Sequence, residues 1–417
     1  MANLDGSGPL CLDGISAHEL VSRFGSPLFV LEQDTIIGSC QKILKAFEHP
    51  HIQVFYAMKA NPNLEVLRCI HREGVGIDCC SPGEVHLAGL AGIPREDVTF
   101  TGTGVRPDEI DGLITGTHTL NLDSLSQIES LGGRLGDRGI GIRLNPGFGA
   151  GSHASNTTGG ADSKLGIPIA DVAEALSLAQ RAGTRIRGFH VHTGSGGLDP
   201  DHFVKVTDLM FELVENFGDS IEYLDLGGGI GVPSRFTDDP FPLEIYADAV
   251  KARLDSHIKN RGPLKVFIEP GQFLVARAGW LLMTVVIRKK TPSGKTVVTT
   301  DSSFNHYLGT SLYQSYHEFV HGSDVCRKDE EIVSICGHLC NTGDSFAKDR
   351  SLPHFKIGDI IAMADAGAYG MSRGSNYNSR PLPAEVMVCK GVPRVIRRRE
   401  LYEDLIRTQL DLNQTEI

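Results

Sequence analysis

Lys59 closes the apolar run Val54-Phe55-Tyr56-Ala57-Met58 and is followed at once by Ala60-Asn61-Pro62. A short, near-continuous apolar run ending in Asn-Pro fits a strand buried on both faces of a parallel sheet, so the lysine stands at that strand's carboxyl end. Partial desolvation there favours the neutral amine, a nucleophile towards aldehydes. Four other places carry polar residues in the same manner. Asp78 follows Val75-Gly76-Ile77, and His190 and His192 lead into Thr193-Gly194-Ser195-Gly196-Gly197. The run 225–232 contributes the triple glycine Gly227-Gly228-Gly229, and Glu269 ends Val266-Phe267-Ile268 ahead of Pro270-Gly271.

The two glycine-rich loops offer small residues and exposed backbone N–H groups, which a phosphate needs when it settles at a helix N-terminus. One such loop is weak support. Two beside a strand-end lysine point to a phosphorylated cofactor that carries an aldehyde, pyridoxal phosphate. Glu269 adds to this, because a carboxylate opposite the lysine holds the pyridine nitrogen protonated and increases its pull on electrons. The bland alternative for Glu269 is an acid paired with an arginine at a rim. His190 is read as pointing to the opposite face from His192, so only His192 enters the site. Lys164 reads as a solvent-facing loop lysine and Cys79–Cys80 as core. Arg397-Arg398-Arg399, followed by Glu400, Glu403 and Asp404, reads as a solvated helix start rather than a nucleic-acid contact.

Eight β-rich runs must position these groups: residues 54–58, 75–80, 97–102, 117–123, 139–145, 185–192, 221–227 and 264–270. Each is followed by a turn residue and then by a stretch rich in Leu, Ala and Glu. Strands alternating with helices imply right-handed βαβ units, and eight in a row suggest a closed (β/α)8, TIM-like barrel of the α/β class. An open doubly wound sheet is the main rival, but it would want its GxGxxG after the first strand, and here the glycine cluster follows the seventh. In a barrel, polar residues at the strands' carboxyl ends gather on one face. After residue 276 strand-like segments continue without regular helices, which predicts a C-terminal antiparallel β domain. The expected boundaries are 30–275 for the barrel and 1–29 with 276–417 for the β domain.

Length and charge are consistent with this reading. A chain of 417 residues exceeds what one core usually supports. Its 40 basic and 51 acidic residues give a formal charge of −11, which argues against nucleic-acid and anionic-membrane partners. No uninterrupted apolar stretch of roughly 20 residues occurs and the start lacks signal-peptide character, so a cytoplasmic location is expected. Nine cysteines without CxxC spacing indicate neither a disulfide framework nor a metal site.

YAMKAN, GIDCCSPGE, HVHTGSG, DLGGGIGVP, EPGQFLVA, DAGAYG and SNYNSRPLPAEV stand in this order along almost the whole chain. In this the sequence resembles the fold-type III pyridoxal-phosphate decarboxylases (alanine racemase/ornithine decarboxylase-like), and most closely the bacterial diaminopimelate decarboxylases, whose insertion over 145–167 it shares. The resemblance implies that Lys59 is the Schiff-base lysine, Glu269 the pyridinium partner and His192 the imidazole stacked on the cofactor ring. It places Ser195, Gly228, Gly229, Gly271 and Tyr369 around the cofactor, with Asp78 supporting the lysine. Cys340 falls where the family presents a cysteine to the neighbouring protomer's site and would return a proton to the α-carbon. A homodimer with shared sites follows.

Departures concern the substrate. Where diaminopimelate enzymes usually carry two arginines and a glutamate around the distal end of the substrate, this chain has Gln272, Gly309 (four residues before Tyr313) and Asn341. Tyr313 and Tyr369 complete the expected substrate-binding set. A buried carboxylate left without its guanidinium partners costs about 3–5 kcal/mol per desolvated pair. The expectation is therefore decarboxylation of an amino acid or an amino-carboxy-alkyl intermediate other than diaminopimelate, with room for a larger distal group where Gly309 replaces arginine. A genuine meso-diaminopimelate decarboxylase and a D-lysine or D-ornithine decarboxylase are the alternatives. An amino-acid racemase, a non-catalytic cofactor-binding protein and an inactive regulatory relative stand further off.

Overall fold

The computed structural model describes residues 8–151, 157–327 and 329–409, together with residues 2 and 4. Residues 152–156 of the expected insertion lie outside the described residues. Two compact units result: Ile36–Pro233 with Thr237–Val275, and Met1–Thr35 with Ser234–Phe236 and Ala276–Ile417.

The first unit is a closed parallel barrel. Its strands are Ile52–Ala57, Gly76–Cys79, Val98–Thr101, Thr119–Leu122, Ile140–Asn145, Ile186–Val191, Tyr223–Asp225 and Lys265–Ile268, each within two residues of its predicted end. Every strand pairs in parallel with the next, and Val266 opposite Ile52 closes the ring. The strands are almost wholly buried, which is why they read as continuous apolar runs. Tyr223, Phe55 and Phe267 form a cluster whose ring centroids lie 5.1 Å apart in successive pairs. Tyr223 also donates its hydroxyl to Asn121 Oδ1 at 2.7 Å. A Cβ on Gly188 would stand 2.0 Å from the Tyr223 ring. Since these residues come from strands all round the ring, the cluster plugs the barrel interior.

The plug fixes the next level. Side chains on a strand repeat every second residue, so two positions on from Gly76, Gly188, Tyr223 and Phe267 stand Asp78, His190, Asp225 and Glu269. The register agrees, with His190 opposite both Arg143 and Asp225. This corrects the expectation for His190: two residues from His192, it shares that residue's inward face.

The second unit is a β-sheet domain. Its main sheet runs Ser345–Pro353, Glu330–Cys336, Thr296–Thr300, Gly279–Lys290, Leu28–Glu32, Ala384–Cys389 and Val392–Arg397, with Ile360–Met363 and Phe319–His321 attached beside Gly279–Lys290. Alternation along the long strand feeds two cores, Leu282 packing with Leu28 and Val30, and Leu281 and Met283 packing with Phe29. Most pairings are antiparallel, but Leu28–Glu32 runs parallel to Ala384–Cys389 and Thr296–Thr300 parallel to Glu330–Cys336. The expected boundary at residue 30 cuts Leu28–Glu32, which lies wholly in this sheet.

Candidate active site

Three carboxyl groups meet above the barrel plug. Glu269 Oε2 lies 3.2 Å from His190 Nε2, with both side chains buried. One ligand-type atom each of His190, Asp225 and Glu269 fall within 4.8 Å of one another, and Asp78 adjoins Glu269. Burial raises Asp78 and Asp225 well above the usual carboxylate range, and the negative charge of Glu269 raises them further. Burial also raises Glu269, but His190, Asp225 and Lys59 outweigh it and hold it down to about 2. Glu269 is thus the ionised member, and its neighbours retain protons. Asp78 Oδ1, Asp225 Oδ2 and Glu269 Oε1 have no donor facing them, so contact between these carboxyls becomes a hydrogen bond only when one of each pair is protonated. Desolvation lowers His190. A neutral His190 that donates from Nε2 leaves Nδ1 without a partner.

Lys59 sits in a single turn, Met58–Ala60, directly after the first barrel strand. Its ammonium donates to Cys80 Sγ at 3.6 Å, and its charge reaches Asp78 and Glu269. Burial pushes the Cys80 thiol up to about 12, so it is a neutral packing group. His192 is held well below its ordinary value by burial and then by Lys59 and Arg143. Its carbonyl accepts from Thr158 Oγ1 at 2.9 Å and from the Arg143 guanidinium at 3.4 Å.

The glycine loops are laced together. Gly196 and Gly197 both donate to Gly229 O at 3.0 Å, and Gly227 N–H donates to Asp225 Oδ1 at 3.0 Å. Gly228 must lack a side chain, since its Cβ would stand 1.9 Å from Glu269 O. The N–H groups of Ser195, Gly228 and Gly229 donate to no described residue. Three such donors beside a lysine, a neutral imidazole and an ionised buried carboxylate fit the phosphate, aldehyde and pyridine ends of pyridoxal phosphate. Gly271 lies over the first strand, where its Cβ would meet that of Ala57 at 3.3 Å. Gln272 opens the next short helix, Gln272–Val275, and donates to Ile230 O at 3.4 Å.

The barrel therefore brings together Lys59, Asp78, His192, Ser195, Gly228, Gly229, Glu269, Gly271 and Gln272. Cys340, Asn341, Gly309, Tyr313 and Tyr369 belong to the β unit. There Cys340 is exposed and its N–H donates to Asn378 Oδ1 at 3.0 Å. The Asn341 amide closes a turn by accepting Gly343 N–H at 2.8 Å. Gly309 is buried, and a Cβ there would stand 3.0 Å from Tyr307 Cε1. His190, Asp225, Arg143 and Thr158 were not assigned to the site from sequence. Counting every second residue along the strand runs would have found the first three, whereas nothing in the sequence marks Thr158.

Residues 33–276 match the model of the pyridoxal-dependent decarboxylase, pyridoxal binding domain. The chain belongs to the pyridoxal-dependent decarboxylases. This decarboxylase is 36% identical over 413 residues to a diaminopimelate decarboxylase of Methanothermobacter thermautotrophicus, covering 96% of each chain. It is 33% identical to that of Escherichia coli K12, covering 94% and 95%. Among solved structures, diaminopimelate decarboxylase from M. jannaschii in complex with L-lysine superposes with a TM-score of 0.89 at 30% identity, covering 99% of both. The Vibrio vulnificus lysine/ornithine decarboxylase shares the fold, with a TM-score of 0.76 at 22% identity, covering 90% of this chain and 99% of that one. The enzyme is a pyridoxal-phosphate-dependent carboxy-lyase. No helix among the described residues is long and apolar enough to cross a membrane.

Proposed function

We propose that this decarboxylase removes the α-carboxylate of an amino acid whose far end differs from that of diaminopimelate. The observation that carries the reading is the trio Gln272, Gly309 and Asn341. The Gln272 amide is turned to the Ile230 carbonyl and the Asn341 amide to Gly343 N–H of its own turn, and the third residue has no side chain. None offers the charge that a distal carboxylate and ammonium require.

Pyridoxal phosphate, when bound, supplies the sink for the electron pair left by the departing carboxylate. The chain's own residues do the rest. Lys59 would hold the cofactor aldehyde, and Ser195, Gly228, Gly229 and Tyr369 its phosphate. Glu269, ionised and buried, keeps a proton on a ring nitrogen placed beside it, while Asp78 and Asp225 hold their own protons and add no competing charge. His192, neutral, offers a flat apolar face to the ring. We infer that Cys340 of the partner subunit returns a proton to the α-carbon, which makes the homodimer the functional unit.

A genuine diaminopimelate decarboxylase is the second reading, favoured by the identity to enzymes of that name over nearly the whole chain. A CO2-release screen separates the two, run over meso-diaminopimelate, D- and L-lysine, D- and L-ornithine, neutral amino acids and larger amino-carboxy-alkyl conjugates. Losing on the order of 4 kcal/mol of transition-state binding makes diaminopimelate poorer than the true substrate by about a thousand-fold. Efficient turnover of diaminopimelate sinks the first reading.

A further inference from the structure

We propose that Arg373 clamps an anionic, carboxylate-type group at the far end of the substrate, which makes the preferred substrate class a 2-amino dicarboxylic acid. The inference rests on the proposed placement of Gly309, Tyr313 and Tyr369 around the substrate. Arg373 ends the short turn Met371–Arg373, just after Tyr369. Its guanidinium carbon lies 4.5 Å from the Tyr369 ring centroid and 5.1 Å from that of Tyr313. It makes no ion pair or side-chain hydrogen bond with any described residue. Other arginines of this unit behave differently, Arg288 pairing with Glu331 at 2.6 Å and Arg350 with Glu318 at 3.4 Å.

Two aromatic contacts fix the guanidinium without using any of its five N–H donors, which lie in its plane. A positioned guanidinium edge without a protein acceptor suits a carboxylate bound through two parallel N–H bonds. Its location matters as much. Arg373 lies close enough to Tyr307 for its charge to act on that hydroxyl, and the Tyr307 ring is what a side chain at Gly309 would strike. A cation missing at Gly309 is thus supplied to the same neighbourhood from another segment. The Asn341 amide is neutral and occupied by Gly343 N–H, while the carboxylate of Asp365, 3.7 Å from Arg277, also acts on the Tyr307 hydroxyl. The far end therefore recognises an anion.

The test uses the pyridoxal-phosphate-loaded enzyme, with Arg373→Met and Arg373→Lys. CO2 release is measured from 2-aminoadipate and 2-aminopimelate, from lysine and from the neutral 2-aminoheptanoate, each as both enantiomers. In parallel, pimelate binding is followed by calorimetry. Arg373→Met should lower kcat/KM for the aminodicarboxylates about 100-fold, mainly through KM, and abolish pimelate binding. Neutral-substrate turnover, cofactor absorbance and Tm should stay unchanged, and the lysine variant should recover part of the loss. An equal fall for all substrates would make Arg373 structural and overturn the proposal, as would pimelate binding that is absent from the unsubstituted enzyme or unaffected by Arg373→Met. If no amino acid releases CO2, the reading of the substrate fails, while the pimelate measurement still decides the anion site.

Discussion

Asp225→Asn is the sharpest probe of the carboxyl cluster, because an amide copies a protonated acid and not an ionised one. Asn Oδ1 keeps the Gly227 N–H bond that Asp225 makes at 3.0 Å, and Nδ2 donates towards Glu269 as the acid's proton does. One N–H of the amide remains unpartnered, at about 1 kcal/mol. Against this stands the linkage of protonation to folding. Burial and the charge of Glu269 raise Asp225 well above the usual carboxylate range, so the native state keeps a proton that the unfolded chain has lost. For a group raised in this way, the stability it contributes is fully present below the unfolded value and is lost as pH rises towards the folded one. The loss runs at about 1.4 kcal/mol per pH unit while the two states differ by one proton. As pH rises above about 5, the unsubstituted enzyme should therefore lose stability that Asp225→Asn does not.

Thermal and urea unfolding of the loaded enzyme at several pH values, with the barrel followed by hydrogen exchange, measure the difference. Asp225→Asn should be slightly destabilised near pH 5 and equal or more stable near pH 7. Asp225→Ala, which leaves Gly227 N–H without its acceptor, should be weaker throughout by about 1–3 kcal/mol. A pH-independent loss above about 2 kcal/mol in Asp225→Asn would mean that Asp225 is ionised in the native state, and the assignment of the single charge to Glu269 would fall.

Gly228→Ala places a methyl 1.9 Å from Glu269 O, so the glycine loop must move off the eighth strand and lose the Glu269 N–H bond to Gly227 O at 2.8 Å. Cofactor affinity should drop about 5- to 30-fold for about 1–2 kcal/mol lost, whereas Gly112→Ala, where a Cβ meets nothing within 4 Å, should leave absorbance titrations with pyridoxal phosphate unchanged. Equal affinities would refute this account of the loop. Separately, Lys59→Ala and Cys340→Ala subunits, each inactive, should regain part of their activity on mixing if sites are shared between protomers. No recovery after proven subunit exchange would argue for sites made within one chain.

The barrel was legible because its signal is collective. Eight runs, each too apolar for anything but a strand buried on both faces and each followed by a helical stretch, leave few topologies open, and Lys59, Asp78, His192 and Glu269 are then located by standing at strand ends. His190 was misplaced by one step of period-2 counting. Once the plug of Tyr223, Phe55 and Phe267 is seen, that same counting puts Asp78, His190, Asp225 and Glu269 on one level. The β unit was less legible for a different reason. Ser345–Pro353 carries Lys348, Asp349 and Arg350 and shows no apolar run, while Val392–Arg397 contains Pro393, which demotes a strand reading to an edge. Parallel pairing of Leu28–Glu32 with Ala384–Cys389 joins segments far apart in the chain, and no local pattern announces it.

That difference bears on substrate specificity. The chemical end of the site rides on barrel strands, where each position has one direction and one level, so a residue type at a position carries its meaning directly. Of the residues expected at the distal end, Gly309, Tyr313 and Asn341 ride on turns of the β unit, where a charge can reach the same neighbourhood from more than one segment. Gly309 read alone says that a cation has been lost and space gained. The Tyr307 ring lies against Gly309, and Arg373 stands on another turn against Tyr313 and Tyr369, so a comparison made position by position does not register the charge that we propose Arg373 supplies. On that proposal, the change written at 272, 309 and 341 is a rearrangement of charge in part, one of two guanidinium groups moved to another segment and the other replaced by an amide.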